Sequence, residues 1–223
     1  MSISSNVGEV KRKICRACEK AGKDPKSVLL VAVSKQRSGK EIRAAYEAGL
    51  RHFGENRVDE AEGKREAFPK HSVLHLVGHL QSNKVLRAVQ LFDVVHSVDS
   101  VRLAKKLDVV AKKLNKVQDV LVQVNVSGEG SKYGFSILEV KREFEELLHL
   151  KNLHVLGLMT IAPFSNNSED SRLFFKQLQK LRDELEEKHG VKLPQLSMGM
   201  TNDFEVAVEE GATVLRVGRA LFG

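Results

Sequence analysis

The sequence predicts a closed barrel of eight parallel strands wrapped by helices, the (β/α)8 or TIM-barrel fold, with an additional N-terminal helix. Three observations carry that expectation. Short apolar runs alternate with amphipathic stretches about eight times, and strict alternation is the pattern of parallel strands joined by helical crossovers. The connections are a few residues long, and 223 residues hold eight such units near the lower size limit of the fold. An open doubly wound sheet usually has fewer strands and a glycine-rich turn after the first; here Ser34-Lys35-Gln36 follows the first run and no GxGxxG occurs. Four unclustered prolines and no repeat or low-complexity tract make residues 1–223 read as a single domain.

Each element has its own signal. Val7 to Ala21 reads as a helix stopped near Gly22, a plausible glycine cap. Val28 to Val33 is a branched apolar run, the look of a strand buried on both faces. Ser38 to Ala48 is a helix ended by Gly49; His52 to Gly54 is a short strand; Arg57 to Ala67 is a helix. Val73 to Val77 is a strand and Asn83 to Val89 a short helix. Phe92 to His96, Val120 to Val126, Val155 to Met159 and Gln195 to Met198 read as the next strands, separated by helices over Val101 to Asn115, Leu138 to Leu150 and Glu169 to Lys188. A helix over Asp203 to Glu210 leads to the last strand, Thr213 to Val217. No eighth helix is legible after it, and the N-terminal helix is expected to cover that gap.

Composition narrows the function. Hydrophobic residues make up 42% and charged residues 29%, the mix of a soluble globular chain. No apolar run reaches membrane-span length and no secretory signal is visible, so no membrane role and a cytoplasmic location are expected. The formal charge is +7, which suits anionic partners without choosing among them. Arg102, Lys105, Lys106, Lys112, Lys113 and Lys116 alternate with apolar residues at helical spacing, so they read as a solvated helix face. With two tyrosines, no tryptophan and no nucleic-acid fold in the pattern, nucleic-acid binding is not expected. Cys15 and Cys18 lie inside the first helix, away from the strand-to-helix turn a redox pair would use, and read as ordinary thiols. His75 and His79 are four apart, but that spacing shares a face only in a helix, so no metal site is expected.

Chemistry in this fold gathers where strands end. Ser34 and Lys35, Glu55 and Asn56, Gly78, His79 and Gln81, Gly128, Ser131, Lys132 and Gly134, Thr160 and Pro163, Gly199, Thr201 and Asn202, and Arg216, Gly218 and Arg219 occupy those places. The loops after strands seven and eight carry the most weight. Thr201-Asn202-Asp203 opens a helix, whose first amides favour an anion, and Gly218 lets the backbone approach another oxygen. That is where this barrel commonly binds phosphate, although helix capping and a tight turn need the same residues. Lys35, carried out of an apolar strand, is expected to sit partly desolvated at the mouth with a lowered pKa, able to form a Schiff base with an aldehyde. Together the two features point to a phosphorylated carbonyl compound, pyridoxal 5'-phosphate being the obvious candidate.

Six ordered motifs then resemble one family. Val31-Ala-Val-Ser-Lys35, Phe53-Gly-Glu-Asn56, Gly78-His-Leu-Gln81-Ser-Asn83-Lys84, Gly157-Leu-Met-Thr160, Ser197-Met-Gly-Met-Thr201 and Arg216-Val-Gly218 are similar to those of the pyridoxal phosphate homeostasis protein (YggS/PROSC) family, over essentially the whole chain. The resemblance implies a barrel like the N-terminal domain of alanine racemase, with Lys35 as the Schiff-base lysine. It implies that Thr201, Gly218 and Arg219 hold the phosphate, that Arg216 faces the pyridine nitrogen, and that Asn56 and Met198 line the ring site. Asp59 stands where many relatives have Gln, Thr201 often appears as Ser, Arg219 is often small, and the chain stops at Phe222-Gly223 where relatives usually continue briefly.

The residues also bear on whether the chain carries or catalyses. An arginine can only donate, so a ring nitrogen facing Arg216 stays unprotonated and the ring is a poor electron sink. A racemase tolerates this but needs a second base; in alanine racemase a tyrosine of a second domain supplies it. Here Tyr46 is expected on an outer helix and Tyr133 in the loop after strand five. The expected function is pyridoxal phosphate binding in vitamin B6 homeostasis, acting indirectly on amino-acid and keto-acid balance, without robust turnover. The alternative is a weak pyridoxal phosphate-dependent amino-acid racemase. Apo-enzymes that use the cofactor are expected as transient partners, the chain is expected to be a monomer, and Lys132 is a candidate second acceptor of the aldehyde.

Overall fold

The structure, a computed structural model, describes residues 2–130 and 132–223; Ser131, one of the loop residues named above, lies outside them. Eight parallel strands close into a barrel in chain order: β1 (Leu29–Val33), β2 (His52–Glu55), β3 (Val73–Leu76), β4 (Val94–Val98), β5 (Gln118–Gln123), β6 (Leu153–Met159), β7 (Gln195–Ser197) and β8 (Val214–Val217). β8 returns to β1 with Val31 opposite Arg216. The helices are α1 (Ile3–Lys20), α2 (Gly39–Glu47), α3 (Val58–Gly63), α4 (Val85–Leu91), α5 (Val101–Lys113), α6 (Ile137–Leu148), α7 (Arg172–His189), α8 (Phe204–Glu209) and α9 (Arg219–Phe222). None of the described helices is long and apolar enough to cross a membrane.

Period-two alternation sorts the strand residues between two cores. Ala32, Phe53, Leu74, Val95, Val122, Leu158, Leu196, Met198 and Leu215 pack outward with the apolar stripes of the helices. The other parity faces the barrel interior, where Val31, Val33 and Val77 lie around Gly54, so close that a Cβ there would come within 3.0 Å of Val31. Further inside, the filling is polar: His75, His96, Ser197 and Arg216 are all buried. The crossover helices start cleanly because α2 and α6 carry capping boxes, Ser38 with Glu41 and Ser136 with Glu139.

Several boundaries differ from the sequence expectation. A short helix, α9, does follow β8, but four residues are too few to show a periodicity. α1 lies where expected, against α2, α8 and α9, and Asn6 Nδ2 donates to the carbonyl of Leu221 at 3.1 Å. The helix expected over Arg57 to Ala67 breaks after Gly63 into a 3-10 turn at Arg65–Ala67, because Lys64 turns inward to three oxygens. β4 begins two residues later than expected. Phe92 still donates its amide to Ala88 of α4, while Asp93 accepts from the Leu74 amide through its side chain and donates to the Leu74 carbonyl. The five of the six basic residues that lie on α5 are exposed. Lys116 instead donates to the carbonyls of Val89 and Phe92 at 2.8 and 2.7 Å.

Candidate functional site

A cavity of about 520 Å³ opens at the C-terminal end of the barrel, the end where this fold places its chemistry. Lys35, Asn56, Gly78, Lys132, Ile161–Ser165, Met200–Asp203, Arg216, Gly218 and Arg219 are among its walls. Six of the seven residues expected to bind are thereby brought together. Met198 is not: it has the outward parity of β7 and is fully buried in the core beneath the helices. Met200, beyond the turn at Gly199, lines the cavity in its place.

Lys35 is held through its neighbours. Ser34 is buried; its amide donates to Gly54 at 2.9 Å and its hydroxyl to Glu55 Oε1 at 2.6 Å. Lys64 Nζ donates to the Ser34 carbonyl at 2.9 Å and to Glu55 Oε1 and Glu60 Oε1 at 2.8 Å each. Glu60 Oε1 also accepts the amide of Gln36 at 2.5 Å, and Gln36 takes a left-handed φ of 58°. Burial pushes the Glu55 carboxyl above its ordinary range, against the hydrogen bonds from Lys64 and Ser34. Lys35 itself is exposed, not partly desolvated as expected, because the strand ends at Val33 and Ser34 takes the last buried place. Its Nζ has no hydrogen-bond or ion-pair partner among the described residues.

Arg216 reaches the cavity from inside the barrel. Its Nη1 donates to Ser197 Oγ at 2.6 Å and its Nη2 to the Thr160 carbonyl at 2.8 Å. Burial pushes the guanidinium down to about 10, with Asp203 opposing, so it remains cationic at neutral pH. A guanidinium carries five N–H donors, and those not used inside the barrel serve the cavity.

The third station lies between β7 and α8 and after β8. Gly199 has φ 91°, and a Cβ there would come within 2.5 Å of Ala207 Cβ. Asp203 Oδ1 accepts the Met200 amide at 2.7 Å and Oδ2 accepts from Ser171 Oγ at 3.1 Å. The Asp203 side chain thus folds its own loop and makes no capping hydrogen bond to α8. The amides of Thr201, Asn202 and Arg219 have no acceptor among the described residues, as first amides of a helix or turn ordinarily lack one. Thr201 Oγ1 meets the Ala220 amide at 3.4 Å, joining the two loops. Gly218 passes Val33 so closely that a Cβ would lie 3.2 Å from its carbonyl.

The sequence reading missed two networks that support these stations. One is the Glu55–Lys64–Glu60 clamp beside Lys35. The other is a line of histidines on adjacent strands: His52 Nδ1 to His75 Nε2 at 3.0 Å, His75 Nδ1 to His96 Nε2 at 2.9 Å, and His96 Nδ1 to Ser197 Oγ at 3.0 Å. Its signal was present, since each of β2, β3 and β4 places one histidine at inward parity. Neither tyrosine is among the cavity's walls. Tyr133 stacks on His79, with centroids 3.7 Å apart and planes 12° from parallel, and His79 Nδ1 lies 3.1 Å from Asp99 Oδ2. Tyr46 lies on α2 beneath the Arg51 guanidinium.

The sequence profile of the alanine racemase N-terminal domain matches residues 6–223. The pyridoxal phosphate homeostasis protein of Aquifex aeolicus is 45% identical, covering 100% of this chain and 98% of that one. The protein of the same name from Synechocystis is 41% identical over 89% and 92%. Among solved structures, PipY of Synechococcus elongatus with pyridoxal phosphate bound is 37% identical over the whole of both chains, with a TM-score of 0.87. An alanine racemase of Clostridium difficile shares the fold at 16% identity and a TM-score of 0.77; the match covers 98% of this chain and 56% of the racemase. This chain therefore belongs to the alanine racemase N-terminal-domain family, and within it to the pyridoxal phosphate homeostasis proteins.

Proposed function

We propose that this barrel binds pyridoxal 5'-phosphate at the mouth, covalently through Lys35, and serves cofactor homeostasis as a carrier and not as a catalyst. The observation that carries the reading is one cavity holding a partnerless amine, a buried guanidinium and a cluster of free amides with a hydroxyl. That donor set fits three polar features of the cofactor: aldehyde, ring nitrogen and phosphate. The cofactor supplies an electrophilic aldehyde that condenses with amines. Lys35 offers the amine. Arg216, which can only donate, keeps the facing ring nitrogen unprotonated. Thr201, Gly218 and Arg219 take the phosphate, Asn56 flanks the ring, and Met200 replaces Met198 as the flanking methionine. The bound structure of PipY supports the choice of cofactor.

A carrier is preferred to a racemase because a racemase needs a second base opposite the lysine, and no tyrosine lines this cavity among the described residues. Lys132, also in the wall and 3.4 Å from Glu129, is a second amine within the same chamber and our candidate for receiving or passing on the aldehyde. We further assign a monomeric, cytoplasmic protein that meets cofactor-requiring apo-enzymes transiently.

The test is an absorbance spectrum of purified protein with added pyridoxal phosphate. A visible band trapped by borohydride in the native chain and lost in Lys35→Ala is expected. Equal labelling of both proteins would defeat the assignment of Lys35. Racemisation assays and transfer to an apo-enzyme then separate catalyst from carrier, and unchanged transfer and stoichiometry in Lys132→Ala would remove the role of Lys132.

A further inference from the structure

The interior of a barrel this small is ordinarily filled by branched apolar side chains. Here a continuous polar line crosses it, from His52 at the start of β2 through His75, His96 and Ser197 to Arg216. His75, His96, Ser197 and Arg216 are buried, and His52 is half-buried. We propose that the three histidines form a tautomer relay that fixes the Ser197 hydroxyl as the acceptor positioning Arg216, making His96, His75 and His52 positioning residues for the site. The consequence for ligand binding rests on the reading of Arg216 given above; the relay itself does not.

Donor and acceptor logic sets the polarity. Arg216 has only N–H groups to offer, so Ser197 Oγ accepts at that contact. The single hydroxyl proton of Ser197 then has His96 Nδ1, 3.0 Å away, as its acceptor. An imidazole whose Nδ1 accepts carries its proton on Nε2, so His96 donates from Nε2 to His75 Nδ1 at 2.9 Å. His75 must in turn donate from Nε2 to His52 Nδ1 at 3.0 Å. The reversed polarity would give Ser197 two donors and leave its own proton without a recorded acceptor in a fully buried place, which buried polar groups avoid. A second proton on His75 or His96 would set N–H against N–H or reverse the line. Burial accordingly holds His75 down to about 3 and His96 well below its ordinary value. The cation at the mouth thus dictates one tautomer at every histidine down to the floor.

The line is read directly by long-range proton–nitrogen correlation of the imidazoles in uniformly labelled, ligand-free protein. His96 and His75 are expected as single Nε2–H tautomers with bare Nδ1. Ser197→Ala, which removes the link to the cation, is expected to give mixed tautomers at both. An Nδ1–H or doubly protonated form at either residue in the native chain, or unchanged tautomers in Ser197→Ala, would overturn the relay. The second arm measures pyridoxal phosphate affinity in His75→Phe, whose changed residue is not among the cavity's walls. A loss on the order of fivefold is expected for a coupled site, with the guanidinium resonances of Arg216 shifted in the free protein. Native affinity and native Arg216 resonances in that variant would overturn the positioning role. If His75→Phe does not fold, His52→Phe tests the same coupling from the half-buried end. Should the native chain bind no pyridoxal phosphate, the carrier reading fails, while the tautomer and Arg216 resonances still decide the relay.

Discussion

Single residues in this barrel are constrained first by parity and then by closeness. The motif Ser197-Met-Gly-Met-Thr201 named the right loop, yet it could not say which methionine turns inward; Ser197 faces the interior, so Met198 must face the helices. Lys35 was legible as the residue after the first strand, but its exposure was not, because the sequence does not show where the strand's last buried place falls. Gly78 is the sharpest case of closeness. A Cβ there would lie 2.2 Å from the carbonyl oxygen of Asn56, and neither backbone can yield without disturbing Asn56, which lines the cavity. Gly78→Ala is expected to cost about 1–3 kcal/mol, as overpacking does. It should also weaken pyridoxal phosphate binding out of proportion to that cost, because Asn56 moves. Urea denaturation and a cofactor titration on the same variant check both parts; native affinity at reduced stability would detach Asn56 from the site.

At the level of elements, the strands and long helices were legible because their periodicities are strong, and the short ones were not. α9 has one turn, and α3 stops where Lys64 leaves the helix to serve Ser34, Glu55 and Glu60. That departure is long-range information, invisible to a local pattern. The capping boxes could be read locally, and Ser38→Ala should cost about 1 kcal/mol with the cofactor site intact. The clamp is a different matter. Glu55 is fully buried and Lys64 partly so, and removing one partner leaves an uncompensated charge or forces a proton onto it. Lys64→Met is expected to destabilise by about 3 kcal/mol and to slow trapping of pyridoxal phosphate on Lys35, since Ser34 and Gln36 lose their shared anchor. Adding Glu55→Gln should recover much of the stability without restoring the trapping rate, because Ser34 and Gln36 stay unanchored. Stopped-flow absorbance on the two variants separates those effects; native trapping in Lys64→Met would reduce the clamp to a purely structural ion cluster.

For the molecule as a whole, closure and interior filling decide the response to acid. The closed topology was predictable from the count and alternation of elements, whereas the polar filling was not, because histidines on strands read singly as core residues and only their adjacency across β2, β3 and β4 makes a network. Buried neutral imidazoles carry a stability cost at low pH. His75 is held to about 3 when folded, against an ordinary value near 6.5 when unfolded. Between those values the unfolded chain binds the proton and the folded chain does not, so stability rises with pH across the window and is lost as pH falls from about 6.5. His96 and His52 shift in the same direction by burial. His75 alone should therefore remove about 2 kcal/mol between pH 7.5 and 5. The carboxylates held low by ion pairs act below that window, and Glu55, held high by burial, opposes the trend. Urea midpoints of the native chain and of His75→Phe at pH 7.5 and 5 test this. The variant should lose about 2 kcal/mol less stability between the two pH values than the native chain, and equal losses would mean that His75 takes up its proton without unfolding the barrel.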